Sequence, residues 1–296
     1  MPIPGKRKAS HPQNDYATSL HNSGRTVLAS GSGGANGELY IINQANGALV
    51  TDIGPLVDAS DNPFALTGIA FQPGTGILYG ATGVAGTHDP NFLVTINPAT
   101  ARVTPIGQMF PSDDGTSASD ITFTSNGTLY AWSAAGHDMH SVNLVTGATT
   151  LVGTSGVGGG FGGGGLAANA ANVIYATPDS QTNPPGTLRT ISAIDGSSTI
   201  VGTLTGLSNT PRNHTINALA FGSAGALYGI DSDRTAVLSN TQLAIIDLNT
   251  GAVTDLGASL GNLDALAILV PEPSTLALAA FGFIGLAAWG WRRRKR

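Results

Sequence analysis

Short apolar runs recur along this chain at a spacing that fits strands. One set of four reads LTGIAF (66–71), GILYGAT (76–82), FLVTIN (92–97) and RVTPIG (102–107). The next reads SDITFT (119–124), TLYAWS (128–133), MHSVNL (139–144) and TTLVG (149–153). A third is GGLAAN (164–169), NVIYAT (172–177), TLRTISAI (187–194) and TIVG (199–202). A fourth is NALAFG (217–222), ALYGID (226–231), QLAIIDL (242–248) and VTDLG (253–257). These runs carry the β-branched and aromatic residues that suit a pleated sheet, and Gly, Asn, Pro or Ser bounds them. A glycine closes each unit, at Gly54, Gly107, Gly153, Gly202 and Gly257, giving a period of about 50 residues.

Four strands in about 50 residues predict the blades of a β-propeller. The first unit offers TVLASG (26–31), GELYIIN (37–43) and ALVTDIG (48–54), with no inner strand ahead of them. LDALAIL (263–269) matches the inner strands of the other units and has no further strands behind it. The expectation is therefore an all-β, five-bladed β-propeller over residues 26–270, closed by the C-terminal strand, which removes the exposed edges a linear array would leave. LVTINPATARVTPIG and LAIIDLNTGAVTDLG resemble the LYxIxPxTGxxTxIG units of uncharacterised bacterial propeller-like proteins. That resemblance implies a fold and no chemistry.

The links fall into two classes. First-to-second-strand links are short (QPGTG, SNG, SAG), and third-to-fourth-strand links read as tight turns (NQANGA, NPATAR, NLVTGA, DLNTGA). The long links are the other two classes, which open together on the opposite face, and long loops on a rigid scaffold are where binding usually sits. That face is expected to gather Asp58, Asp61, Asp113, Asp114, Arg212 and His214, together with His88, Asp89, His137, Asp138, Asp179, Asp231, Asp233 and Arg234. Aligning the inner strands places Thr67, Ser119, Gly164, Asn217 and Asp264 in one column at the channel mouth. The next column holds Gly68, Asp120, Gly165, Ala218 and Ala265. Asp120, Asn217, Asp264 and His214 are the candidate ligand-facing residues.

Catalysis finds little support. Asp120 and Asp264 could pair as the two carboxylates of a glycosidase, although an Asp near a strand start more often caps a turn. No Ser-His-Asp arrangement stands out. GGGFGGGG (158–165) lacks the Lys-Ser/Thr of a phosphate loop and precedes a strand, so it reads as a flexible link. No cofactor is implied. PSDDGT (111–116) and DSDRT (231–235) offer oxygens for calcium without the spacing of an EF-hand loop. His88, His137 and His140 read as solvent-exposed loop or strand side chains; residues three apart on a strand face opposite sides, so His137 and His140 do not make a metal pair. Trp132 is the single tryptophan ahead of the tail, which weakens a lectin reading.

Composition narrows the partners. Charged residues are only 10% of the chain, and there is no cysteine, which excludes disulfides, thiolate zinc sites and Cys nucleophiles. Four arginines, no lysine and sixteen acidic residues between positions 26 and 270 leave twelve net negative charges there. Such a surface repels nucleic acid.

The end of the chain has its own pattern. Val270-Pro271-Glu272-Pro273-Ser274 leads into an uncharged run from Thr275 to Trp291, and Arg292, Arg293, Arg294, Lys295 and Arg296 follow. The run is long enough for a short transmembrane helix, Trp289 and Trp291 sit where an aromatic belt would lie, and the basic cluster would stay in the cytoplasm. These three parts in order resemble the PEP-CTERM sorting signal of Gram-negative bacteria. The resemblance implies recognition of the tail (271–296) by an exosortase, an inner-membrane-anchored precursor with its body outside the cytoplasm, and a mature form at the cell surface or in the extracellular matrix. Residues 1–25 have a basic start without an apolar stretch and are expected to be disordered or to reflect a mis-assigned start. Three functional readings follow, the third being a purely structural spacer in the extracellular matrix. The first is an exported, non-enzymatic surface or matrix protein whose loop-rich face binds an exopolysaccharide or a protein. The second is an extracellular glycan-active enzyme with carboxylates at the channel mouth.

Overall fold

The tight turns form because a side chain caps its own backbone. Asn43 Oδ1 accepts from Ala45 N at 2.8 Å, Asn97 Oδ1 from Ala99 N at 2.9 Å, Asn143 Oδ1 from Val145 N at 2.8 Å and Asp247 Oδ1 from Asn249 N at 2.8 Å. Each Asx turn reverses the chain locally and fixes the hairpin that follows. The computed structural model describes residues 26–31, 36–84, 88–110, 116–157, 164–178, 186–207, 214–233 and 241–270. All regular structure among them is β.

The chain opens with β1 (Thr26–Gly31), β2 (Glu38–Asn43) and β3 (Leu49–Pro55). Next come β4 (Leu66–Phe71), β5 (Leu78–Thr82), β6 (Phe92–Ile96) and β7 (Val103–Gln108). Then follow β8 (Ala118–Phe123), β9 (Leu129–Ser133), β10 (Met139–Val142) and β11 (Thr149–Gly153). After these run β12 (Leu166–Ala168), β13 (Ile174–Ala176), β14 (Thr187–Ile191) and β15 (Ser198–Thr203). The last are β16 (His214–Phe221), β17 (Leu227–Asp233), β18 (Thr241–Ile246), β19 (Val253–Ala258) and β20 (Leu263–Ile268). They hydrogen-bond in antiparallel four-stranded sheets with the orders β20-β1-β2-β3, β4-β5-β6-β7, β8-β9-β10-β11, β12-β13-β14-β15 and β16-β17-β18-β19. The innermost strands touch in the sequence β20, β4, β8, β12, β16, and β16 touches β20 again. The architecture is all-β and propeller-like, with apolar layers between neighbouring sheets. Leu39, Ala265 and Ala267 of one sheet, for example, pack on Leu66, Ile69, Leu78 and Val94 of the next.

The repeated glycine has a physical cause at the rim. In every sheet the outermost pairing skips the residue just before it, as where Leu93 pairs with Gly107 and Val94 with Pro105. The bulge turns the glycine toward the tight turn of the next sheet. A methyl group on Gly107 would collide with the carbonyl oxygen of Thr146, on Gly153 with that of Asp195, and on Gly202 with that of Thr250; on Gly257 it would sit 2.5 Å from that of Asn46. The turn glycines Gly47, Gly147, Gly196 and Gly251 complete these contacts at φ of 71–77°. The seam between β3 and the β6–β7 turn differs. Gly54 faces open space, the turn carries Ala101 at φ 55°, and the Arg102 guanidinium reaches back to Asp58 O at 2.5 Å and to Asp61 Oδ1 at 2.7 Å.

Several expectations need correction. β16 and β17 run beyond the expected NALAFG and ALYGID segments, with His214 opposite Asp233 and Ile216 opposite Asp231. These residues therefore belong to strands, because the ladder gains hydrogen bonds by continuing toward the loop-rich end. β12 and β13 are three residues each, shorter than the apolar runs that announced them. Residues 1–25 and 271–296, including the expected transmembrane helix, lie outside the described residues, among which no helix is long and apolar enough to cross a membrane.

Candidate functional site

Inner-strand bulges recur toward the loop-rich end of four sheets. The β4–β5 register passes from Leu66↔Thr82 to Gly68↔Ala81, which leaves Thr67 unpaired; Ser119 is skipped on β8 and Asp264 on β20. On β16 the shift falls between Ile216 and Leu219, across Asn217. A bulge re-aims the extra residue's side chain. Thr67 donates to Ala118 O at 2.7 Å and Ser119 to Trp132 O at 3.1 Å, so both satisfy neighbouring backbone. Asn217 Nδ2 instead donates to Asp264 Oδ1 at 3.0 Å, while Asn217 Oδ1 has no hydrogen-bond partner. The Asn217–Asp264 pair is thus a polar contact between side chains of neighbouring sheets within the bulged column.

Asp120 lies one position further along and is fully buried. Its Oδ1 accepts from Ile121 N at 2.8 Å, and its Oδ2 accepts from Leu166 N at 2.8 Å and Leu219 N at 3.3 Å. One carboxylate therefore ties together β8, β12 and β16. Neighbouring glycines make the room. A methyl on Gly68 would sit 2.7 Å from Asp120 Oδ1, and one on Gly165 would sit 2.6 Å from Leu219 N. Burial pushes the Asp120 carboxyl well above the usual carboxylate range; its three backbone donors oppose this, and the nearby Asp264 adds to it. The sequence placed Asp120 in the right column, where its neighbours are Gly and Ala, but not the donors that surround it.

A second polar group forms on the loop-rich face, between the β3–β4 and β5–β6 links. His88 Nε2 lies 3.6 Å from Asp58 Oδ2 and 3.5 Å from Asp89 Oδ2, and the ring packs edge-on against Phe64. Asp58 also accepts from Ser60 N, Asn62 N and Asn62 Nδ2 at 2.8–3.0 Å. Those bonds, led by the Asn62 side chain, hold the Asp58 carboxyl below its ordinary value. Asp61 and Asp89 adopt φ of 61° and 41°, the left-handed conformation that Asp tolerates in turns.

The remaining candidates disperse. His137 was expected to be exposed, but it is fully buried: φ of 53° turns it inward, where its ring lies 5.8 Å from that of Trp132. His140, on β10, packs edge-on against Phe110. Trp132 is buried among Met139, Leu166, Ile174 and Ile191, so it offers no open platform to a sugar. His214 begins β16. Among the described residues no group of three or more His, Cys, Asp or Glu could hold a metal ion. The residues Asp113, Asp114, Asp179, Arg212 and Arg234 lie outside the described set.

Comparison with known proteins adds two findings. Residues 269–295 match the PEP-CTERM protein-sorting motif. The motif implies recognition by an exosortase and a membrane-anchored precursor that is processed and exported. The body is similar in structure to a chain of the nidogen/laminin complex, with TM-score 0.52 and 11% identity over 83% of this chain and 99% of that one. It is also similar to a protein of unknown function from Bacteroides caccae, with TM-score 0.51 and 12% identity over 82% and 98%. At these identities the likeness shows the fold alone. No curated protein matches the chain.

Proposed function

We propose that residues 26–270 form a five-bladed propeller closed by β20, and that the chain is an exported, non-enzymatic surface or matrix protein. Its loop-rich face binds a glycan or a protein partner, and Asn217, Asp264 and His214 stand at the channel mouth as ligand-facing residues. The observation that carries the binding reading is the Asn217–Asp264 pair, held at bulged positions with the Asn217 oxygen left unpaired. A buried acceptor without a donor is costly, and a ligand hydroxyl or amide would satisfy it. The non-enzymatic reading draws support from Asp120, whose oxygens are both engaged by backbone donors inside the core. The alternative is a glycan-active enzyme pairing Asp120 with Asp264; the raised Asp120 carboxyl and its coupling to Asp264 favour it.

A panel of bacterial exopolysaccharides, tested both for retention in affinity gels and for release of reducing ends, separates the two. Binding without turnover, weakened about tenfold or more in Asn217→Ala, is expected. Turnover that disappears in Asp264→Asn would establish the enzyme instead.

A further inference from the structure

The sheets end outward in β3, β7, β11, β15 and β19, and among the described residues none of these has a further strand beside it. An open edge is a template for another chain, and proteins blunt it with charge, proline or a covering segment. Three of these edges are blunted. β3 carries Asp52 and Pro55. β7 carries Pro105, and its start is covered where Val103 N donates to Val57 O at 2.9 Å. β19 carries Asp255, and Val253 N donates to Thr205 O at 2.7 Å.

β11 (TTLVG) and β15 (STIVGT) have neither charge nor proline. The links that pass them bond a strand hydroxyl rather than the strand backbone. Phe110 N donates to Thr149 Oγ1 at 3.0 Å, and Ser198 Oγ donates to Ser155 O at 2.7 Å. The turn of the following sheet packs only on the glycine of each strand, Gly153 or Gly202. Thr150 and Thr199 remain exposed, as do Leu151 at 54% and Ile200 at 57%. The charged neighbours are engaged within their own sheet. Arg189, opposite Ile200, donates to Thr187 Oγ1 and Ser198 Oγ, and Asp195 Oδ1 accepts from Ser197 N and Oγ.

We infer that β11 and β15 are the edges at which a second copy of this chain adds a strand. Two copies of one strand pair antiparallel about a twofold axis, so an uncharged edge meets its own match. The sixteen acidic residues and four arginines between positions 26 and 270 set copies against each other elsewhere on the surface. The sorting motif implies a membrane-anchored precursor, so copies share one membrane and meet there at raised effective concentration.

The test is the oligomeric state of the full-length chain in detergent micelles, read by sedimentation over a range of protein concentrations. A reversible dimer is expected. Leu151→Lys combined with Ile200→Lys charges both edges and should weaken the dimer by about tenfold or more. Val50→Lys, at a 59% exposed position on the β3 edge, should leave it unchanged. The absence of native cysteine allows a second measurement that adds no charge. Chains carrying Leu151→Cys, Ile200→Cys or Val50→Cys are treated with a short bismaleimide, and linked dimers are expected at 151 or 200 and not at 50. A chain that stays monomeric overturns the inference, whether its edges then stand open or take a strand of another protein. A dimer that survives the paired lysines, or that links equally at 50, is held elsewhere and overturns it too. Each of these results leaves the proposed binding of a glycan or protein partner unchanged.

Discussion

Asp120 and Asp58 each meet three hydrogen-bond donors, and their carboxyls shift in opposite directions. The number of donors does not decide the sign. Asp58 keeps part of its side chain in water, so its desolvation is smaller than the effect of the Asn62 and Ser60 donors, and its pKa falls. Asp120 has lost all its water, and three amides do not make up for that. The partners differ as well. Those of Asp58 lie two and four positions away in the chain, whereas two of those of Asp120 lie 46 and 99 positions away. One group shapes a loop; the other joins three sheets.

The largest expected effect separates the two directly. Asp120→Ala leaves buried amides of β8, β12 and β16 without an acceptor and should lower the unfolding free energy by about 2–5 kcal/mol, read from urea denaturation. Asp58→Ala removes the acceptor of one local turn and should cost about 0.5–1.5 kcal/mol, clearly less than Asp120→Ala. Equal losses from both would break the contrast. Next in size is Gly153→Ala, which drives a methyl into the Asp195 carbonyl and should cost about 1–3 kcal/mol by overpacking. Gly74→Ala sharpens that result. Gly74 has open space around it and φ of 73°, so its cost is conformational alone, about 1–2 kcal/mol, and should not depend on any neighbouring sheet.

The smallest effect is a slope with pH. The folded-state pKa of Asp120 is raised, so its contribution is most favourable below the ordinary value of 3.8 and is lost as pH rises from there through the raised value. Asp58, Asp195 and Asp247 are lowered, so their contributions are present above 3.8 and are lost as pH falls below it. The stability of the natural protein relative to Asp120→Asn should therefore decline from about pH 4 toward neutrality. A flat difference across that range would place Asp120 in a wetter site than the structure shows.

The same contrast explains what was legible in the sequence. Asx turns at Asn43, Asn97, Asn143 and Asp247 involve neighbours in the chain, so the letters alone announced them. The strands were legible by the same logic, and the glycine spacing gave the repeat. The reason for Gly153 was not, because the carbonyl it makes room for belongs to the next unit. Nor were the bulges that single out Asn217 and Asp264, since an unpaired residue on a strand has no composition of its own. His137 misled for a related reason. A Gly-His-Asp link reads as exposed, and only the left-handed backbone at residue 137 and the waiting face of Trp132 bring the ring inside.

The pairing of β1 with β20 also sets an order of events. Val27 and Ile268 are neighbours in one sheet, yet nearly the whole body is synthesised between them. Contacts of such separation form late, because the loop between them must be closed first. The sheet begun first is finished last, and the residues that finish it run straight into the sorting motif at 269–295. A nascent chain interrupted before that point has neither a completed first sheet nor a retention signal, so completion of the body and capture at the membrane fall due at the same moment of translation.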